Sequence, residues 1–196
     1  MTRTWAGTTL ADRQAARRDR LLAAALDLLG TDGSAAVSVR AVCRRAKLTE
    51  RYFYESFADR EQLVVALYEQ VAAELRQALV DAVPDNRADP VARAEAAVHA
   101  FFELAVDDPR KGRVLLLAPV SDPALSARGV ALLPAFAALV REQLPERMAA
   151  DEREMTALGL VGALANLFTG HLAGTLTASR ERLIAHCVHL LARAGS

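Results

Sequence analysis

The sequence predicts an all-α protein, and three observations support this prediction. Hydrophobic residues make up 53% of the 196 residues but aromatic residues only 5%, so the core must consist mostly of alanine, leucine and valine, a composition that favours helices. Few segments alternate with the period of a strand, and there is no long run of valine, isoleucine and threonine. Three Asp-Pro pairs, which begin at Asp89, Asp108 and Asp122, each place an N-cap residue before a proline in the first helical position.

The first long helices have recognisable end signals. A helix is expected from about Leu10 to Leu29, where Gly30 and Gly33 would end it. A later helix is expected to begin after Asp59, which forms a capping box with the glutamine three positions on, and to run to about residue 83. Each Asp-Pro pair then starts a further helix, which gives the second half of the chain a succession of helices.

Two short helices joined by a tight turn are predicted between these long helices. Ser38 is a suitable N-cap for a helix over Val39–Ala46, and Thr49 for one that begins at Glu50. The three residues between them fit the turn of a helix-turn-helix. Basic residues dominate the segment, where only Glu50 opposes Arg40, Arg44, Arg45, Lys47 and Arg51. Such a cluster is a plausible footprint for DNA phosphates.

The formal net charge of zero hides an asymmetry along the chain. Residues 1–60 contain 11 arginines and lysines against 7 acidic residues, and the remaining residues contain 13 against 17. A difference of this size also arises by chance. Its coincidence with the helix-turn-helix indicates a basic half that approaches DNA and an acidic half that stays away from it.

Residues 18–63 resemble the DNA-binding domain of the TetR (tetracycline repressor-like) family of bacterial transcription regulators. The resemblance runs through RLLAAALDLLGTDG, SVRAVCRRAKLT and YFYESF, and continues to Glu61 and Leu63. Lys47 stands where the family usually has the turn glycine, so a left-handed backbone is expected there. The resemblance implies a helix-turn-helix domain over residues 10–58 and a helical effector-binding and dimerisation domain over residues 59–196.

Eight residues are expected to contact DNA. The resemblance places Arg40 where a side chain reaches a base edge, and arginine pairs best with guanine. Arg51 and Tyr52, at the start of the second helix, are further candidates for base contacts. Candidates for phosphate contacts, through hydroxyls, helix N-termini and charge, are Ser38, Thr49, Tyr54 and Arg60. The full set is Ser38, Arg40, Lys47, Thr49, Arg51, Tyr52, Tyr54 and Arg60. Phe53 and Phe57 are interpreted as core.

A stripe of small residues predicts a dimer interface. In the helix expected over residues 151–176, the stripe consists of Gly162, Asn166, Gly170 and Gly174. Small side chains let a second helix approach closely. Packing within one subunit would use such a stripe equally well. In the resembled family, however, the last two helices (here 151–176 and 179–194) form a four-helix bundle between two subunits, which favours a homodimer.

The other face of the same helix is expected to contribute to an apolar effector pocket. The proposed lining residues are Phe102, Phe136, Leu164, Phe168, His171 and Thr175. For each of them, ordinary core packing is the alternative interpretation. The resemblance implies a small apolar effector that releases the protein from a pseudo-palindromic operator.

Other classes of protein are disfavoured. We find no pattern typical of an enzyme active site, and we expect no cofactor and no metal, since His186 and His189 have no carboxylate or thiolate partner. Cys43 and Cys187 are far apart, which suits a reducing cytoplasm. No apolar signal core is present, and the apolar stretch over residues 158–179 contains glycines and polar residues, so we expect a cytoplasmic protein without a membrane span.

Two alternatives to a ligand-released repressor remain open. One is a DNA-binding regulator controlled by a protein partner or only by its concentration. The other is an architectural DNA binder, which the composition disfavours because more than half of the chain is not basic.

Overall fold

The computed structural model describes residues 9–83 and 89–195, and within these ranges the fold is all-α, with ten α-helices, one 3-10 turn and no β-strand. The helices are α1 (Leu10–Asp32), α2 (Val39–Ala46), α3 (Glu50–Tyr54), α4 (Arg60–Ala82), α5 (Pro90–Ala105), α6 (Pro109–Leu116), α7 (Ala118–Ser121), α8 (Pro123–Arg141), α9 (Ala150–Leu172) and α10 (Arg180–Ala194). The 3-10 turn, Ser34–Ala36, lies between α1 and α2.

The predicted helix starts are confirmed. The carboxylate of Asp59 accepts a hydrogen bond from the backbone N–H of Gln62 at 2.8 Å, and this bond caps α4. The three Asp-Pro pairs start α5, α6 and α8. Asp108 and Asp122 accept backbone N–H bonds at their helix starts, whereas the side chain of Asp89 makes no capping bond. Local chemistry therefore fixed these positions.

Two predicted helix ends are wrong. The end expected at Leu29 is wrong, because α1 continues to Asp32 and Gly30 lies inside the helix, but Gly33 is the C-cap residue, as predicted. A Cβ atom on Gly30 would lie only 2.6 Å from the Cα of Arg110, so the glycine allows α6 to pack closely on α1. α9 ends at Leu172 instead of residue 176, because Gly174 takes a left-handed backbone with φ 73° that turns the chain away.

One large apolar core joins the first four helices to α6, α7 and the start of α8. Phe53 and Phe57 are at most 1% exposed, as expected of core residues. Two smaller clusters lie further along the chain, one around Phe102, Phe168 and Leu183 and one around Ala137 and Ala157. The large core shows that the N-terminal helices pack directly on the helices that follow them.

α8 and α9 are both long and apolar enough to cross a membrane when judged by length and composition alone. In each helix, only 11% of the most apolar 18-residue window is buried in the single chain. Helices that pack against a second subunit have the same length and composition. On α9, the uncovered apolar surface indicates a contact with something outside one chain.

Candidate DNA-binding surface and effector cavity

The helix-turn-helix has the predicted geometry. The hydroxyl of Ser38 accepts a hydrogen bond from the backbone N–H of Ala41 at 3.2 Å and caps α2. Lys47 ends α2 in the left-handed conformation, with φ 53° and ψ 45°, as the absent turn glycine led us to expect. Thr49 has the extended backbone of an N-cap residue, but its side chain does not cap α3. The turn therefore forms without a glycine, at a cost that the surrounding packing must offset.

Arginines of α1 hold the two short helices in place. The guanidinium of Arg17 lies 4.4 Å from the ring centre of Tyr52, and that of Arg18 lies 4.3 Å from the ring centre of Phe57. Arg20 donates a hydrogen bond of 2.5 Å to the backbone carbonyl of Ala46, at the end of α2. These contacts leave no local signal in the sequence, because the partner residues lie far along the chain. Cation–π contacts of this kind orient α3 relative to α1.

Seven of the eight expected DNA-contact residues lie along the turn and the two short helices. Six of them are exposed and Tyr52 is half-buried. The side chains of Arg40 and Arg51 are 89% and 83% exposed. Each forms an ion pair with a glutamate, at 3.5 Å for Arg40–Glu50 and 3.2 Å for Arg51–Glu55. Exposed ion pairs contribute roughly 0–1 kcal/mol, so DNA acceptors are able to replace the glutamates.

Arg60, the eighth expected residue, lies in a different environment. Its Nε donates to the backbone carbonyl of Val37 at 2.9 Å, and its Nη2 donates to the hydroxyl of Ser34 at 2.8 Å. The same Nη2 forms an ion pair of 2.6 Å with the carboxylate of Asp122. The interpretation of Arg60 as a phosphate contact is therefore corrected, because its guanidinium faces internal acceptors.

We call Ser34, Arg60 and Asp122 the interdomain network. Asp122 is only 1% exposed, and its carboxylate also accepts hydrogen bonds from Ser34 at 2.6 Å and from the backbone N–H of Ala124 at 3.0 Å. Burial by itself would raise the pKa of Asp122, but the hydrogen bonds from Arg60, Ser34 and Ala124 outweigh it and lower the pKa. The network thus fixes the N-terminus of α8 against the 3-10 turn that precedes α2.

A second junction joins α1 to α6. The close approach at Gly30 is accompanied by an ion pair of 2.6 Å between Arg110 and Asp27. Arg113 donates a hydrogen bond of 3.3 Å to the backbone carbonyl of Gly30. Together, the two junctions attach the helix-turn-helix to the helices that follow it.

A cavity of about 750 Å³ lies among α4, α5, α8 and α9. Its wall is mostly apolar, and three of the predicted lining residues, Phe136, Leu164 and Phe168, belong to it. Phe102, His171 and Thr175 do not line the cavity. Phe102 is fully buried in the adjacent cluster, where its ring centre lies 5.4 Å from that of Phe168. The hydroxyl of Thr175, beyond the end of α9, donates to the backbone carbonyl of Gly170.

Tyr68 is a lining residue that the sequence interpretation missed. It is 3% exposed, and its hydroxyl has no hydrogen-bond partner among the described residues. Burial raises the pKa of Tyr68 to about 12, so the hydroxyl stays protonated at neutral pH. In the sequence, Tyr68 continues the apolar stripe of α4 with Val64 and Val71, which makes it look like an ordinary core residue.

The outer face of α9 is open in the single chain. Met155 and Leu158 are 64% and 42% exposed. A Cβ atom added to Gly159 or Gly162 would have no described atom within 4 Å. Of the expected interface stripe, Gly162 and the exposed Asn166 lie on this face.

The other half of the stripe behaves differently. A Cβ atom on Gly170 would lie 3.3 Å from the Cβ of Leu176 in the same chain. Gly174 lies beyond the end of α9, so it is not part of a helical stripe. The open face therefore extends along the first two-thirds of α9 and is shorter than the sequence suggested.

The architecture and the motif define a class, the helix-turn-helix transcription regulators that carry a helical second domain. Residues 21–67 match the family model described as "Bacterial regulatory proteins, tetR family". The matched segment therefore carries the DNA-binding domain of this family. No curated protein sequence matches the chain.

Solved structures share the fold over nearly the whole chain. The fatty acid degradation regulator FadR from Bacillus halodurans superposes with a TM-score of 0.72 at 14% identity, covering 89% of this chain and 94% of that one. A putative TetR-family transcriptional regulator from Rhodococcus sp. gives 0.72 at 17% identity, covering 93% and 100%. The multidrug binding protein EbrR, complexed with imidazole, gives 0.66 at 22% identity, covering 89% and 94%. At these identities, the likeness shows a common fold.

Proposed function

We propose that this protein is a cytoplasmic repressor that binds a pseudo-palindromic DNA operator as a homodimer and is released by a small apolar molecule bound in its cavity. Residues 10–58 form the DNA-binding domain in this proposal, and residues 59–196 form the effector-binding and dimerisation domain. The proposal rests on the position of α8, which extends from the cavity toward the helix-turn-helix. This helix lines the cavity, and its N-terminal Asp122 is paired with Arg60 beside the helix-turn-helix.

The exposed residues of α2 and α3 have complementary roles in this proposal. Arg40 and Arg51 read base edges in the major groove, where arginine donates two hydrogen bonds to guanine. Tyr52, held by Arg17, is a further base contact. The remaining exposed residues of the set, Ser38, Lys47, Thr49 and Tyr54, bind phosphates and fix the register of the protein on the duplex.

The homodimer places two such motifs on one operator. Half-sites about one helical turn of DNA apart (about 34 Å) require two copies held at a fixed separation. The open face of α9, with Met155, Leu158 and Gly162, offers an apolar surface for the second copy. Small residues there permit close helix packing.

The interdomain network supplies a path between the effector and DNA. A ligand that shifts α8 also shifts Asp122, which is only 1% exposed and paired with Arg60 at 2.6 Å. Because Arg60 also binds the backbone at Val37, just before α2, the displacement reaches the helix-turn-helix. By linkage, an effector that weakens DNA binding must bind the DNA complex less well by the same factor.

A regulator without a small ligand is the alternative. The large apolar cavity favours ligand control, since well-packed cores contain few voids larger than a water molecule. Among the proteins that share the fold, EbrR is a multidrug binding protein solved with imidazole. A thermal-shift screen of metabolites, with and without operator DNA, tests the alternative. Only a ligand-gated protein is expected to gain thermal stability from a metabolite and lose that gain in part when DNA is bound.

The DNA-binding role is tested by site selection followed by substitution. The wild type is expected to select a pseudo-palindromic sequence. Arg40→Ala is expected to weaken binding to it by about 1–3 kcal/mol and to relax the preference at one base pair per half-site. Arg76→Ala, an exposed position on α4, is the matched control and should leave binding unchanged. Selection of no palindromic preference would contradict the proposal.

A further inference from the structure

We infer that the effector is an elongated amphipathic acid, with an apolar middle, a neutral oxygen at one end and an anionic group at the other. The inference rests on the proposed function of the cavity as the effector site. It adds the chemical class of the ligand, which we derive from the shape of the cavity and from the polar groups at its two ends.

The wall of the cavity follows two helices along much of their length. α8 contributes one stripe of its wall, which consists of Gly129, Leu132, Leu133, Phe136, Leu139 and Val140. Val140 lies eleven positions after Gly129, which corresponds to about 17 Å along a helix. On α4 the wall runs in a similar way from Tyr68 to Val83. A volume of about 750 Å³ spread over this length suits a chain-like apolar molecule better than a compact one.

Tyr68 marks one end of the cavity. Its hydroxyl lies 3.7 Å from the position that a Cβ atom of Gly129 would take, at the first turn of the α8 stripe. The side chain is 97% buried, and its hydroxyl has no partner among the residues that the structure describes. Because Tyr68 belongs to the wall of the cavity, its hydroxyl is available to a group that enters the cavity. A ligand oxygen at this end would provide the missing partner.

Arginines mark the other end. Just beyond the end of α8, the cavity adjoins a polar pocket of about 450 Å³. The walls of the two share Arg93, Glu142, Gln143, Leu144 and Gly195. The polar pocket is lined by four arginines and two glutamates, which are Arg93, Arg141, Arg147, Arg153, Glu142 and Glu146. Arg141 is paired with Glu154 at 2.8 Å.

Arg153 is the arginine that most directly indicates an anion. Its Nε is buried and has no hydrogen-bond partner among the described residues. Arg153 also forms no ion pair with any residue that the structure describes. Because a guanidinium is always charged and only donates hydrogen bonds, the group that complements it is a carboxylate or a phosphate. An amine at this end would lie beside the positive charge of Arg153.

Four probes with the same apolar chain test the two ends of the cavity independently of each other. They are ω-hydroxydodecanoate, dodecanoate, dodecanediol and dodecyl phosphate. Titration calorimetry on the intact protein is expected to show that the hydroxy acid binds about fivefold more tightly than dodecanoate and about tenfold more tightly than the diol. The comparison of dodecanoate with dodecyl phosphate shows which anion the arginine end prefers.

Two variants assign each preference to its residue. Tyr68→Phe keeps the ring and is expected to abolish the preference for the hydroxy acid over dodecanoate. Arg153→Gln is expected to abolish the preference for the acid over the diol and to leave the Tyr68-dependent preference intact. Arg76→Gln, which makes the same change at an exposed position away from the cavity, should alter neither preference.

The outcomes separate this inference from the proposed function. Equal affinities for the four probes, no binding of any probe, or preferences that survive in both variants would overturn the assignment of an amphipathic acid. The proposed function is decided independently, by whether any metabolite both stabilises the protein and releases the selected operator.

Discussion

The helix-turn-helix and the C-terminal helices differ in how completely one chain covers its apolar residues. In the N-terminal part, Val42, Phe53 and Phe57 are at most 1% exposed, and the basic residues remain outside. In the C-terminal part, only 11% of the apolar windows of α8 and α9 is buried, and a large cavity lies between them and α4. The apolar residues of the first part are covered within one chain, by its own helices and by α6, α7 and the start of α8. The second leaves an apolar face of α9 and a cavity uncovered, which the proposed function assigns to a second copy and to a ligand.

The largest effect is expected in the complete core. Phe53 is fully buried and makes an edge contact with Tyr54 at 5.4 Å. Phe53→Ala is expected to lower the free energy of unfolding by about 3–5 kcal/mol, because the emptied site cannot collapse fully. Denaturant unfolding would measure this loss. If one chain completes the core around Phe53, the loss of unfolding free energy is the same at low and high protein concentration. A loss that depends on protein concentration would contradict the difference drawn between the two parts of the molecule.

The second-largest effect is expected from a substitution on the open face of α9. Gly162→Leu adds a large side chain where no described atom lies within 4 Å, so the folded chain can accept it but a closely packed partner helix cannot. We expect a monomer by light scattering and operator binding about a hundredfold weaker, since paired half-sites supply avidity. Gly170 is less suitable, because a side chain there would meet Leu176 of the same chain.

Ala73→Leu, on the exposed face of α4, is the control for this change and should remain a dimer. A Gly162→Leu variant that stays dimeric and binds the operator normally would remove the open face of α9 from the interface.

A smaller effect is expected at the junction of the two parts. Asp122→Asn keeps the shape but removes the charge opposite Arg60, and because Arg60 is 27% exposed we expect a loss of only about 1–2 kcal/mol. The informative measurement is the ligand-induced loss of operator affinity, which should shrink in the variant. An unchanged response would show that the coupling runs through α1 and α6 instead.

The carboxylate of Asp122 also makes the stability of the wild type depend on pH. The pKa of Asp122 is lowered from its ordinary value of 3.8, so its contribution to stability is present above that value and is lost as the pH falls through the lower value in the folded protein. Operator binding should therefore not change through this group between about pH 5 and 8.

The predictions that succeeded depended on short-range chemistry. Ser38 and Asp59 cap their helices as expected, the Asp-Pro pairs start theirs, and Lys47 is left-handed. The predictions that failed depended on partners distant in the chain. Gly30 looked like a helix end because its contact with Arg110, 80 residues further on, is invisible in a local pattern. Phe168 is both cavity wall and core, since it also stacks on Phe101 at 4.0 Å.

The sequence by itself determined the all-α fold, the starts of the helices and the helix-turn-helix, because capping, helix propensity and apolar periodicity act over a few residues. Only the tertiary structure decided that Arg60 pairs with Asp122, and that the hydroxyl of Tyr68 lies buried in a cavity wall. Those facts depend on which helices pack together, because a buried ion pair or an unpartnered hydroxyl arises only when segments far apart in the chain enclose it.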